Sequence, residues 1–255
     1  KRERWFFMAS FSIRPMGDRA LVAEFGASID EATNRQVHAL AAWIGARRVP
    51  GIVELAPTYR SLLVCYDPAV ISFARLKRRL ERFHPDVVAA TAARRRILKV
   101  PCCYGGAFGP DLAGMEEITG LSAQEIVRIH SAVDYRIYML GFLPGFPYLG
   151  GLDKRIEAPR LPSPRKAIPA GSVGIGGNQT GVYPMESPGG WRLIGRTPLP
   201  FYDPAAARPV LCQAGEFIRF VPISAEEFAD IQRRVAEGGY PPQYIEEEGG
   251  EDACR

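Results

Sequence analysis

One stretch near the middle limits the folds open to this chain. It runs Tyr138-Met-Leu-Gly-Phe-Leu-Pro-Gly-Phe-Pro-Tyr-Leu-Gly-Gly-Leu152, then Gly171-Ser-Val-Gly-Ile-Gly-Gly-Asn-Gln-Thr-Gly181, Ser187-Pro-Gly-Gly-Trp191 and Gly195-Arg-Thr-Pro198. Glycine and proline are dense, but aromatic and aliphatic residues stand between them where a linker would carry serines and charges. So many large apolar groups fold because burying them is favourable, which excludes a disordered spacer. Gly and Pro inside an apolar run read as short strands broken by bulges and tight turns. Backbone can also approach a ligand closely where no Cβ intrudes, so a binding site is expected here.

The rest of the chain supplies a frame for that stretch. Phe11–Gly17 and Arg19–Phe25 read as two strands about a Gly-Asp turn. Ser28 and Glu31 have capping-box spacing before a helix with Val37, Leu40, Ala41 and Ile44 on one face. Two more strands follow, 51–56 and 60–67, and then a helix over 71–83. This β-β-α-β-β-α order predicts a small α+β domain over 11–94, with helices on one face of an antiparallel sheet. A linker is expected over 89–94. The second domain, 95–238, opens with a strand at 95–104 and has capping boxes at Ser122/Glu125 and Ser224/Glu227. Its many short strands predict a mainly-β barrel or sandwich. Residues 1–10 read as a disordered N-terminal extension, with Met8 as the native start. Residues 239–255, acidic and poor in apolar groups, read as a disordered tail.

Bulk properties exclude several function classes. With 255 residues, net charge +4 and 47% hydrophobic content, nothing marks a nucleic-acid binder, and no apolar run is long enough to span a membrane. The basic face Arg75, Lys77, Arg78, Arg79 and Arg82 of the second helix reads as a solvated surface. Five cysteines at 65, 102, 103, 212 and 254 form no disulfide framework and no zinc-type pair, so a cytoplasmic setting is expected. With three histidines and no H-E-x-x-H, no metal site is predicted. Phosphate-loop and nucleophile-elbow motifs are likewise missing.

Candidate chemistry gathers in the Gly/Pro-rich segment. Arg165, Arg192 and Arg196 carry forks suited to carboxylates or phosphates. Gln179 and Tyr183 can orient a small amide, and Trp191 offers a flat apolar wall. Ser172 and Ser187 have no base nearby in sequence. His130, on the apolar face of the helix opened by Ser122 and Glu125, reads first as a core or interface group, and it is the general-base candidate of this half of the chain. So few acid–base groups point to part of a shared active site.

At this point the motifs carry a resemblance. Gly141–Gly150, Pro164-Arg165, Pro169–Val173, Gln179–Gly181, Tyr183-Pro184, Ser187–Trp191 and Gly195–Pro198 resemble the PxpB/KipI family, also labelled allophanate hydrolase subunit 1 or carboxyltransferase subdomains C and D. Gly17-Asp18, Tyr59–Leu63, Tyr66–Pro68, Tyr104–Gly106, Gly109–Leu112 and His130-Ser131 extend it to nearly all of residues 11–225. The resemblance implies a cyclophilin-like β-barrel after the α+β domain. It implies a PxpC/KipA-like partner and, with a PxpA-like subunit, a complex that opens the lactam 5-oxoproline to glutamate at the expense of ATP. ATP would then act at the level of the complex. Relatives also occur as inhibitors of a sensor histidine kinase and as modules of allophanate or urea metabolism. The matched motifs raise His130, Arg165 and Gln179 as site residues without assigning their roles; with the chemistry of the side chains added, His130 is expected to be catalytic and Gly145, Phe146, Arg165, Gln179, Tyr183, Trp191 and Arg196 substrate-binding.

Overall fold

The computed structural model describes residues 11–84 and 95–247. The expected extension at 1–10, the linker at 89–94 and the end of the acidic tail, 248–255, lie outside the described residues. The chain divides into two compact units, residues 1–92 and 93–255.

The first unit has the expected order: β1 (Phe11–Pro15), β2 (Ala20–Phe25), α1 (Glu31–Ala46), β3 (Ile52–Pro57), β4 (Ser61–Tyr66) and α2 (Phe73–Leu80). Its antiparallel sheet runs β1-β2-β4-β3. Alternate residues Leu21, Ala23, Phe25, Leu62 and Val64 meet Val37, Leu40 and Ile44 of α1 and Leu76 and Leu80 of α2 in one core. The cap of α1 differs from the sequence expectation. Asp30, not Ser28, is the N-cap and accepts from the Thr33 N–H at 2.8 Å, while Ser28 donates its hydroxyl to Asp30. Carboxylate at the helix start suits the partial positive charge there, so aspartate takes the role from its serine neighbour.

The second unit comprises β5 (Arg95–Tyr104), α3 (Leu112–Thr119), α4 (Ala123–Ser131), β6 (Asp134–Leu140), β7 (Pro147–Gly150), β8 (Arg165–Ile168), β9 (Ser172–Gly176), β10 (Gln179–Val182), β11 (Ser187–Gly189), β12 (Arg192–Arg196), β13 (Phe217–Pro222), α5 (Ala225–Ala236) and β14 (Tyr244–Glu247). Seven strands run β12-β9-β10-β7-β6-β13-β5, and β12 pairs back onto β5 to close a mixed barrel. Closure removes the open edges that such short strands would otherwise expose. Side chains alternate across the wall, so Leu98, Val100, Ile137, Leu149, Val173, Ile175, Val182, Ile194, Ile218 and Phe220 fill the interior. Both predicted capping boxes form, Ser122 with Glu125 opening α4 and Ser224 with Glu227 opening α5. β8 and β11 form a separate two-stranded ribbon.

The acidic tail is corrected in part. Within 239–255, which composition assigns to disorder, Tyr244–Glu247 is a strand paired antiparallel with the first half of β5. Its partners are basic: Arg95 reaches Glu247 at 3.2 Å, and the Arg96 guanidinium lies 3.7 Å from the centre of the Tyr244 ring. Charge complementarity with a distant strand orders a segment too polar to order itself.

Candidate functional site

The Gly/Pro-rich segment builds a second, smaller core on the outer face of the barrel wall. On β9 and β10, Val173, Ile175, Thr180 and Val182 turn inward. The outward positions Gly174, Gly176 and Gly181 carry no side chain. A Cβ at any of the three would press on the Trp191 ring or its Cβ, so the glycines leave a trough in which the indole lies. Around Trp191 stand Phe146 at 5.5 Å, Tyr148 at 6.4 Å and Tyr183 at 6.4 Å between ring centres, all edge-on. Ile168 of β8 and Leu193 of β12 complete the cluster. Edge-to-face aromatic packing of this kind is rigid and apolar. Of the predicted residues, Phe146, Tyr183 and Trp191 are thus brought together, each nearly fully buried.

Arg165 is held at the border of this alcove. Its Nη2 donates to Asp111 Oδ1 at 2.6 Å, and Asp111 Oδ2 accepts from the Leu193 N–H at 2.7 Å. Asp111 stands at the N-terminus of α3 but makes no side-chain cap bond there, since both oxygens are engaged across the fold. Arg160 lies 6.0 Å from the Trp191 ring centre. The Tyr183 hydroxyl has its pKa raised, chiefly by burial; a backbone hydrogen bond from Trp191 and the charges of Arg160 and Arg165 oppose the shift. Tyr148 is also raised by burial, with Arg160 opposing. Gln179 is half-buried and stands directly opposite Gly176, on the face that Trp191 covers.

Three predicted residues are placed elsewhere. Gly145 has φ +81, and a Cβ there would meet the Phe201 carbonyl oxygen at 2.7 Å. Its lack of a side chain is a backbone requirement of the 142–146 turn. Arg196 is at the β5 end of β12, where its Nε donates to the Ala170 carbonyl at 2.8 Å. It is not among the residues packed on the aromatic cluster.

His130 is on the other side of the wall. It is 0% exposed, inside the barrel, with Phe220 at 4.6 Å and Tyr135 at 5.3 Å between ring centres. Nε2 meets Thr180 Oγ1 at 2.9 Å, and Thr180 Oγ1 already donates to the Gly174 carbonyl at 3.0 Å. Thr180 can therefore only accept from the ring, which puts the imidazole proton on Nε2. Nδ1 then accepts from the Tyr104 hydroxyl at 2.8 Å. Burial pushes the His130 pKa down to about 3. A neutral, fully bonded and enclosed imidazole ties α4 to β5 and β10. With Thr180 inward and Gly181 outward, the wall separates it from the alcove, which opposes a direct proton relay to a ligand there.

Sequence reasoning missed Asp111, Arg160 and Tyr148. Asp111 lies in a matched motif, but no spacing rule connects it with Arg165, 54 positions away. Among the described residues, no group of three or more His, Cys, Asp or Glu gathers that could hold a metal. No described helix is long and apolar enough to cross a membrane. Cys65, Cys102, Cys103 and Cys212 are free thiols.

Comparison with known proteins agrees with this architecture. The family described as carboxyltransferase domain, subdomain C and D, matches residues 11–212. The chain belongs to that family. It is 46% identical over 228 residues to the B-type subunit of 5-oxoprolinase from Bacillus subtilis (strain 168), covering 86% of this chain and 95% of the relative. The crystal structure of TTHA0988 superposes with a TM-score of 0.73 at 35% identity, over 81% of this chain and 40% of the other. The urea amidolyase of K. lactis shares the fold, with a TM-score of 0.72 at 21% identity over 92% of this chain. The chain spans only 40% of TTHA0988 and 16% of that amidolyase. In this family the α+β unit and the barrel therefore also occur within longer chains.

Proposed function

We propose that this chain is one subunit of an ATP-dependent 5-oxoprolinase, acting with PxpA-like and PxpC/KipA-like partners to open 5-oxo-L-proline to L-glutamate. The observation that carries the reading is the similarity to the B-type 5-oxoprolinase subunit of Bacillus subtilis over 95% of that protein's length. The alcove supports it. A small lactam ring fits an aromatic wall, and Arg165, Gln179 and the Tyr183 hydroxyl are polar groups on or beside that wall. A lactam is a poor electrophile, so ring opening needs activation, which ATP supplies in the complex.

Nucleotide is assigned to the partners. The starts of α4 and α5 carry Glu125, Glu226 and Glu227, and these carboxylates disfavour a phosphate at those two termini. The part of this chain is to bind and orient the substrate and to exclude water around it. Its fixed aromatic and hydrogen-bonding groups suit that part better than proton transfer. A cytoplasmic location accords with free thiols, including the buried Cys102 and Cys212.

The test is reconstitution. ADP release from ATP and 5-oxoproline is measured with both partners, with and without this chain. Dependence of release on the chain is expected; equal rates in its absence would remove the proposal.

A further inference from the structure

Among the described residues, two buried side-chain polar atoms have no hydrogen-bond partner, Arg165 Nη1 and Ser187 Oγ. Native interiors leave few such groups, because an unmet donor forfeits its hydration with nothing in return. These two lie on facing strands of one ribbon. Ser187 of β11 pairs with Ile168 of β8, and Gly189 pairs with Arg165. Two steps along β11 thus span three along β8, so a bulge brings Arg165 and Ile168 onto the face that carries Ser187. Ile168 belongs to the cluster of Phe146, Tyr183 and Trp191, so this is the face turned to the aromatic alcove.

We infer that Arg165 Nη1 and Ser187 Oγ form the seat for one carboxylate of a small ring-bearing ligand. This deepens the proposed function and rests on it only for the identity of the ring. The chemistry is selective. Arg165 Nη2 is committed to Asp111, whose second oxygen is held by the Leu193 N–H, so the guanidinium is fixed in place with one end available. The Arg165–Asp111 pair is neutral as a whole, and Arg160 near Trp191 adds one positive charge. One further charge and two donors match a monoanionic, planar carboxylate better than a phosphate dianion. The apolar floor takes the ring. Ser187 is 6% exposed and neither Arg165 Nη1 nor Ser187 Oγ touches solvent, while the Arg165 side chain as a whole is 31% exposed.

Calorimetric titration of the full chain with 5-oxo-L-proline, cyclopentanecarboxylate and 2-pyrrolidinone separates the parts of this claim. Both carboxylates are expected to bind, and 2-pyrrolidinone, which lacks the carboxylate, at least about tenfold more weakly. Ser187→Ala should weaken both carboxylates about fivefold to tenfold while leaving the thermal midpoint unchanged or higher, because it deletes an unmet polar group. Arg165→Lys, which keeps the charge facing Asp111 but loses the fork, should weaken them about tenfold or more. Carboxylate affinities equal to wild type in both variants would overturn the seat, and so would absence of carboxylate binding below about 10 mM. A marked drop in the midpoint of Ser187→Ala would also overturn it, by showing that the hydroxyl is structurally engaged. Equal affinity for cyclopentanecarboxylate and 5-oxoproline would leave the seat standing and count against the lactam reading. Binding of 5-oxoproline that both variants leave unchanged would do the reverse.

Discussion

His130 illustrates how one buried side chain can couple acid to stability. Burial lowers its pKa from 6.5 to about 3 in the folded protein. Between those values the unfolded chain binds a proton that the folded chain does not. Stability from this group is therefore fully present above about pH 6.5 and is lost on acidification by up to about 1.4 kcal/mol per pH unit. Urea unfolding of wild type and His130→Gln from pH 7 to pH 4 measures it. The variant should be less stable at pH 7 by about 2 kcal/mol, having lost part of the hydrogen-bond set, and should have a flatter acid limb. A second residue-scale expectation concerns the trough. Gly176→Ala places a methyl against the Trp191 indole, and overpacking there should cost about 1–3 kcal/mol and shift the tryptophan emission. Sequence reading pointed to Trp191 and to its glycines, because apolar residues among glycines already implied close backbone approach. It could not place His130 and the alcove on opposite sides of one wall, since that depends on the parity of residues 180 and 181 within a paired strand.

At the scale of elements, local signals were legible and distant pairings were not. The capping boxes at Ser122/Glu125 and Ser224/Glu227 lie within four residues of sequence, and both helices start where those boxes placed them. The order of strands and helices in the first unit followed from turns and periodicity in the same way. β14 was missed because its four residues gain their order from Arg95 and Arg96, on the other side of the whole barrel unit in sequence. Within the barrel, Tyr244 also donates its hydroxyl to the Leu211 carbonyl at 3.1 Å, so this strand anchors a loop as well as an edge. Truncation after Gly239 should therefore lower the thermal midpoint by several degrees, as expected for a loss of about 1–3 kcal/mol, and calorimetry checks it. Tyr244→Ala alone should reproduce a large part of that drop.

For the whole molecule, the informative quantity is turnover in the assembled enzyme. Arg165→Ala should reduce kcat/KM for 5-oxoproline in the reconstituted complex by about 10- to 100-fold, with co-elution of the subunits unchanged. Unchanged kinetics would remove Arg165 from the site. Family membership, the two-unit plan and a barrel in the second unit were readable because the motifs are dense across the chain; which strands close that barrel was not, because β12 returns to β5 only through folding. That closure has a kinetic side. β5 is the first strand of its unit to be synthesised, yet its neighbours β12, β13 and β14 arrive on the order of a hundred residues later. Until then it offers both edges of a long apolar strand to whatever is near. Refolding of this unit should accordingly be slow and sensitive to protein concentration, and a nascent chain would remain exposed to aggregation until its last strands leave the ribosome.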